Sequence, residues 1–277
     1  MSAITTSNRA VFGVRQGERT MPLVLQIVNL TRRNLVTIFR TPSAVIPSLI
    51  ISAFFLLVYE ASLSRAASFL PGLGSNSYLG FILPVSIVSA ALSGAGVAGQ
   101  SIVRDIASGY FDKLMLTPVN RGALLLAAML AGAIILVLQT SIIMVIAVLM
   151  GLESVTGVAG IVGVLALALL LGTGFAGFTV GVALRSGNAA ATQGASFLFF
   201  PLTFLTATFV PVSLLSGWIQ TAAQFNPITY ILEAMRALLN SGLDMELVAR
   251  GASSALGLGL LMFVFALVSL RARTRRK

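Results

Sequence analysis

Few residues in this sequence could make or break bonds. There is no cysteine and no histidine, which excludes thiolate chemistry, imidazole bases, Ser-His relays and the usual zinc sites. The acidic residues number eight and are scattered, so no carboxylate pair stands at acid–base or metal-ligand spacing. Lysine occurs only as Lys113 and Lys277. Neither follows a suitable glycine-rich stretch, so the GxxxxGK(S/T) phosphate cradle is missing, and ATP binding or hydrolysis by that route is not expected. What remains is the chemistry of contact. Residues Arg104–Arg121 set Tyr110, Phe111, Leu114 and Met115 beside Asp105, Asp112 and Lys113, apolar anchors with a charged rim that would suit a partner's groove. A short hairpin folded on its own bundle is the plainer alternative. A second constellation is Phe197, Phe200, Thr203, Phe204, Thr206 and Phe209. Phenyl faces interleaved with hydroxyls suit an amphiphile, or equally an aromatic core between helices.

The elements that must position these groups are membrane helices. The chain is 57% hydrophobic and only 9% charged, where soluble domains carry roughly 25% charge, and its mean hydropathy is +0.99. The fold class is an all-α integral membrane protein. Six transmembrane helices are read from the apolar runs, at about 44–59, 79–103, 122–150, 158–184, 189–210 and 252–270. The first is short, near the lower limit of roughly 17 residues for a spanning helix, and carries Pro47 near its start. The third is long enough to tilt or protrude. No ionisable residue lies inside any of these runs. A pump driven by protons or sodium usually keeps such a group at membrane depth, so the energy for any transport is expected from another subunit.

The net charge of +10 invites a nucleic-acid reading, but segregation of basic residues across a membrane explains it better. With the N-terminus inside, fifteen basic residues fall on the cytoplasmic side and three (Arg65, Arg236, Arg250) outside. That asymmetry calls for an even number of spans and both termini in the cytoplasm. The first twenty residues are polar and lack the apolar core of a cleaved signal. Small residues pattern the spans: Ala90, Gly94 and Ala98 recur at steps of four, near Gly96 and Gly99, and Gly177–Gly181 form a GxxxG pair. Such residues let helix backbones approach in lipid; packing within the chain is favoured over a dimer seam.

Two segments lie outside the runs. In residues 21–40, Gln26, Asn29, Arg33, Thr37 and Arg40 recur at 3, 4, 4 and 3 and line one face of an amphipathic helix, which Thr41-Pro42 ends. Such a helix lies in the membrane interface, as an anchor or as a shelf for a cytoplasmic partner. Residues 211–239 hold Pro211, Trp218, Asn226, Pro227, Tyr230, Glu233 and Arg236. Two short helices broken at Asn226-Pro227 fit this external stretch, with Glu233 and Arg236 spaced to pair. A re-entrant helical hairpin is the expected form, because broken backbone at membrane depth needs protein to shield it.

Two motifs carry a family resemblance. One runs from Arg104-Asp105 through Gly109 and Leu114 to Thr117-Pro118-Val119 and Arg121. The other runs from Phe200-Pro201 through Pro211 and Trp218 to Asn226-Pro227, Thr229 and Arg236. In this order on a six-span layout, the chain resembles the type-2 ABC exporter permeases, and within them the daunorubicin-resistance-type membrane subunits, over nearly its whole length from Met21. The resemblance implies a polar cytoplasmic tail (1–20), a single permease domain (21–270) and a basic cytoplasmic tail (271–277). It implies an interface helix at 21–40 using Gln26, Asn29, Arg33, Thr37 and Arg40. It implies a coupling loop at 104–121 that seats in an ATPase through Asp105, Gly109, Tyr110, Phe111, Asp112, Leu114 and Pro118. The external hairpin (211–239) would close an outer gate with Pro211, Trp218, Asn226, Pro227 and Arg236, and the cargo path would follow the Phe/Thr row of the fifth span. The implied partners are two copies of an ABC ATPase subunit, which carry the ATP and Mg, and a second permease, identical or related. Membrane lipid and a small amphiphilic substrate complete the set, with no nucleic acid, no catalytic residue and no metal or cofactor on this chain. The expected place is a bacterial cytoplasmic (inner) membrane. Polysaccharide or lipid-linked glycan export shares the same plan, and a gradient-driven carrier is the more distant alternative.

Overall fold

A computed structural model describes residues 21–67, 78–206, 212 and 215–275. The polar tail 1–20, the loop 68–77, most of 207–214 and the last two residues lie outside this range, and with them Phe209 and Pro211. Phe200 is described in its backbone only.

The described chain is helical, with no strand among its residues. α1 (Leu23–Phe39) is followed by a 3-10 turn at Pro42–Ala44 and α2 (Ile46–Ala67). α3 (Tyr78–Ala107), the short α4 (Tyr110–Met115), α5 (Arg121–Leu149) and α6 (Gly157–Ser186) come next. α7 (Ala189–Ser196), α8 (Phe200–Phe204), α9 (Trp218–Phe225), α10 (Pro227–Arg236) and α11 (Met245–Arg275) complete the order. Among the described residues four helices, α3, α5, α6 and α11, are long and apolar enough to cross a membrane, and α2 contributes a shorter apolar stretch, Ile46–Ser62. At 1.5 Å per residue the four reach about 45 Å, longer than a hydrocarbon core of about 30 Å, so they tilt or extend beyond it.

Local chemistry sets the ends. Thr41-Pro42 stops α1, because the residue before a proline avoids helical geometry. Asn120 Oδ1 accepts from the Gly122 amide and starts α5, and Asn188 Oδ1 accepts from Ala190 and Ala191 and starts α7. Gly187, at φ 60°, ends α6 in the left-handed region that glycine tolerates.

Three sequence expectations change. The first span, read as ending at Tyr59, continues to Ala67 and so carries Glu60 within the helix. The fifth, read as one helix over 189–210, is broken: α7 gives way to a 3-10 turn at Phe197–Phe199 before α8. Pro201 lacks the amide that would bond back to residue 197, so an unbroken ladder is impossible there. The sixth, read as 252–270, extends at both ends, and its helix takes in most of the basic tail at 271–277. Hydropathy sees only the apolar middle of such a helix.

α3 is the axis. Nearly every described side chain from Tyr78 to Asp105 is buried under α2, α5, α6 and α7. α6 sits between α5 and α11. The larger core joins the first half of α3 to the second half of α5, the first half of α6, and α10. A second core joins the other end of α3 to α4, the start of α5, and the ends of α6 and α11. A small third one holds Ile38 of α1 against Val97, Ala131 and Ile135. Glycines permit the close crossings. A Cβ on Gly99 would stand 2.7 Å from the Thr179 carbonyl of α6, and Gly177 and Gly181 face Met262 and Phe265 of α11. The GxxxG pair therefore packs within the chain.

Candidate functional site

A cavity of about 450 Å³ opens between α2, α3 and the α7–α8 break. α2 supplies Ser48, Ile51, Phe55 and Tyr59, and α3 supplies Val85, Ser89, Leu92 and Gln100. Across from them stand Gln193, Ser196, Phe197, Thr203 and Phe204. Phe55 and Tyr59 stack at 5.4 Å between centroids, one turn apart on α2. Gln100 Nε2 donates to Gln193 Oε1 at 2.7 Å, which leaves the other donors and acceptor of both amides for the cavity. Gly96 makes this possible, since a Cβ there would come within 2.5 Å of Gln193 Oε1. The lining is aromatic and aliphatic with hydroxyls and two amides, and it contains no charged side chain.

Of the expected cargo residues, Phe197, Thr203 and Phe204 line this cavity. Thr206 is buried away from it, its hydroxyl donating to the Thr203 carbonyl at 2.6 Å. Sequence reasoning missed the α2 and α3 walls. The available signal was Gln100 and Gln193, two amides in apolar surroundings.

At the far end of α3 the Arg104–Arg121 constellation divides in two. Phe111 and Leu114 are buried in the second core, so they hold α4 to its own bundle rather than offering themselves to a partner. Asp105 also turns inward. It pairs bidentately with Arg33 of α1, Nη1 to Oδ2 at 2.8 Å and Nη2 to Oδ1, and its side chain is 11% exposed. The same guanidinium lies 4.0 Å over the Tyr110 ring. The hydrogen bonds to Asp105 raise the Arg33 pKa, against an opposing effect of burial. Nearby, the Asn120 amide donates to Gln26 Oε1 at 2.9 Å. Two members of the polar line of α1, Gln26 and Arg33, thus reach the segment around α4. Of its other members, the Thr37 hydroxyl donates back to the Arg33 carbonyl, while Asn29 and Arg40 are exposed. Gly109 (φ 70°) makes the turn into α4. The outward surface is Tyr110, Asp112, Lys113, Leu116, Thr117 and Pro118. Leu116, 88% exposed, was not singled out from sequence. Which side of so short a helix faces outward depends on the bundle beneath it.

At the opposite end of α3, the helices α9 and α10 break at Asn226-Pro227. Asn226 Oδ1 caps α10 on the Ile228 amide, and its Nδ2 donates to the Leu202 carbonyl at 2.6 Å, tying the break to α8. Trp218 is 73% exposed. Arg236 is buried: its Nε donates to the Phe81 carbonyl at 3.0 Å, and its guanidinium lies 3.6 Å over the Phe81 ring. The expected Glu233–Arg236 pair does not form; among the described residues the salt bridges are Arg33–Asp105 and Arg250–Glu246. Burial of that α10 face carries the arginine onto α3 instead. Glu60 on α2 and Arg236 place ionisable groups at this end of the bundle, where the apolar runs showed none.

The sequence profile of the ABC-2 type transporter family matches residues 25–240. The chain belongs to the ABC-2 type transporter family. In this ABC-2 chain the matched part contains the cavity, the α4 segment and helices α9 and α10, and ends before α11. A probable doxorubicin resistance ABC transporter permease protein, DrrC, of Mycobacterium tuberculosis is 25% identical over 219 residues, 79% of this chain and 78% of that one. A putative transport permease, ycf38, of Cyanophora paradoxa is 24% identical, covering 78% and 74%. The daunorubicin resistance ABC transporter permease protein DrrB1 of Streptomyces coeruleorubidus is 23% identical over 167 residues, 60% of this chain and 59% of that one. Family and apolar helices together make the chain a multi-pass membrane protein of the ABC transporter permease type.

Proposed function

We propose that this chain is the membrane subunit of an ATP-driven exporter that moves amphiphilic molecules, lipid-like or drug-like, out of a bacterial cell through the inner membrane. The cavity between α2, α3 and the α7–α8 break carries this reading. Its aromatic and hydroxyl lining matches a cargo with an apolar body and hydrogen-bonding substituents. The names of the two resistance permeases agree with that class of cargo.

In this reading six segments cross the membrane: α2, α3, α5, α6, the broken α7–α8 and α11, with both termini cytoplasmic. Helices α9 and α10 form an external re-entrant hairpin and gate, with Trp218, Asn226, Pro227 and Arg236. A separate ATPase subunit, in two copies, holds ATP and Mg and docks on α4 through Tyr110, Asp112, Lys113, Leu116 and Pro118. Asp105 and Arg33 act one step behind that surface by locking α1 to α4. A second permease, identical or related, completes the transporter. ATP binding then shifts a two-state permease pair between inward- and outward-facing forms.

Mild-detergent purification followed by identification of the co-eluting chains tests the assembly. An ABC ATPase should travel with the permease, and amphiphiles should stimulate its hydrolysis after reconstitution. Robust ATP hydrolysis by the permease alone, or transport that collapses with the proton gradient at constant ATP, would overturn the proposal.

A further inference from the structure

We infer that Arg104 reads an oxyanion on the cargo, so that the transported molecule is an amphiphile whose phosphate or carboxylate head sits on this guanidinium while its apolar part lies in the cavity. The inference rests on the cavity being the cargo path.

The face of α3 that walls the cavity does not stop at Gln100. Val85, Ser89, Leu92, Gly96 and Gln100 follow one another at steps of three and four, and Arg104 is the next member. Residues so spaced stand above one another on a helix. Arg104 Nη1 donates to the Thr41 hydroxyl at 3.1 Å. Thr41 begins the turn whose Ser43 lines the cavity. Arg104 is not itself in the cavity wall; its guanidinium lies one turn beyond Gln100, between α3 and the turn that carries Ser43.

Two of its three nitrogens, Nε and Nη2, are buried and have no acceptor. Leaving charged donors buried and unmatched is costly, and native structures rarely do it without a reason. An arginine serving only as a membrane-edge anchor would keep its head in water. The two unmatched nitrogens are also the side-on edge of the guanidinium, the pair that holds two oxygens of one carboxylate or phosphate in parallel. The adjacent carboxylate does not serve them: Asp105 bonds Arg33, and neither Arg104 nitrogen has it as a partner. Arg40, exposed beside Thr41, adds positive charge. The cavity above offers amides, hydroxyls and rings but no carboxylate, so a cationic head would rest on ring faces alone, whereas an anionic head gains the guanidinium.

The test is direct binding of tritiated dodecyl phosphate to the full chain in nanodiscs of uncharged galactolipid. Dodecyl glucoside, dodecyltrimethylammonium and inorganic phosphate are the competitors. Dodecyl phosphate should bind about ten- to hundred-fold more tightly than the glucoside, as one charge-assisted bidentate contact predicts, and the trimethylammonium compound should compete worst. Arg104→Gln should erase that preference. Arg104→Lys, which keeps the charge but not the fork, should retain part of it, and serves alone if the glutamine variant does not fold. Inorganic phosphate should compete only weakly; competition as strong as that of dodecyl phosphate would overturn the amphiphile assignment. Equal affinity for glucoside and phosphate, or an unchanged preference in both variants, would overturn the role of Arg104 while leaving the cavity as the cargo site. No binding of any amphiphile would remove the cavity reading, and this inference with it.

Discussion

Removing either partner of the Arg33–Asp105 pair should loosen α1 from the α3–α4 corner. The side chains are 31% and 11% exposed, so the pair lies between two regimes. Exposed pairs contribute about 0.2–1 kcal/mol, while breaking a fully buried pair from one side costs about 3–5 kcal/mol. The bidentate geometry and the Tyr110 ring beneath the guanidinium favour an intermediate value of about 2 kcal/mol. For a chain of this size that is a fall of about 4 °C in Tm. Arg33→Ala, Asp105→Ala and the double variant, melted in the same detergent, form a thermodynamic cycle whose coupling should be about 1.5–2 kcal/mol. The exchange variant Arg33→Asp with Asp105→Arg should recover most of the stability. The amount of ATPase that co-purifies should fall in both single variants and return in the exchange variant, because the pair acts by positioning α4. Additive single effects would refute the pairing. Recovered stability without recovered ATPase would refute the positioning role and make Asp105 a direct docking residue.

Other outcomes follow from single contacts. Leu116→Asp should leave stability within about 0.5 kcal/mol of wild type, as exposed substitutions do, yet lower ATPase co-purification; unchanged recovery of the ATPase would remove Leu116 from the docking surface. Gly99→Leu should lower stability by about 1–3 kcal/mol or more by forcing α3 from the Thr179 carbonyl, read as lost folded yield, while a wild-type melt would contradict the close crossing. Arg236→Gln should cost about 2 kcal/mol by removing the charged donor to the Phe81 carbonyl and the ring contact, and Arg236→Lys should not restore it. Ser89→Trp should fill the cavity and abolish amphiphile stimulation of the ATPase without preventing assembly; stimulation at wild-type levels would place the cargo elsewhere.

Much of the helix order could be read from residue type. Apolar runs longer than a bilayer, the Pro42 and Pro227 breaks and the asparagine caps act through neighbouring backbone, so α3, α5 and α6 fall close to their expected bounds. The broken fifth segment was misread because hydropathy counts side chains and is blind to the amide that Pro201 lacks. Among the candidate residues, Tyr110, Asp112 and Pro118 do face outward, whereas Asp105, Phe111 and Leu114 turn to the chain's own bundle.

Composition alone set the solvent of this protein, since a chain with 57% hydrophobic and 9% charged residues needs no coordinates to be placed in lipid. It also set the positions of most helices, because helix formation in lipid is a local demand that each segment meets with its own hydrogen bonds. Partnership was decided only in three dimensions. That Arg33 holds Asp105, that Arg236 lies on Phe81 instead of Glu233, and that Arg104 keeps two nitrogens unmatched one turn beyond a cavity wall all depend on how helices rotate against one another. That rotation follows from long-range packing of small residues such as Gly96 and Gly99, whose neighbours lie some 80 to 100 positions away in the chain.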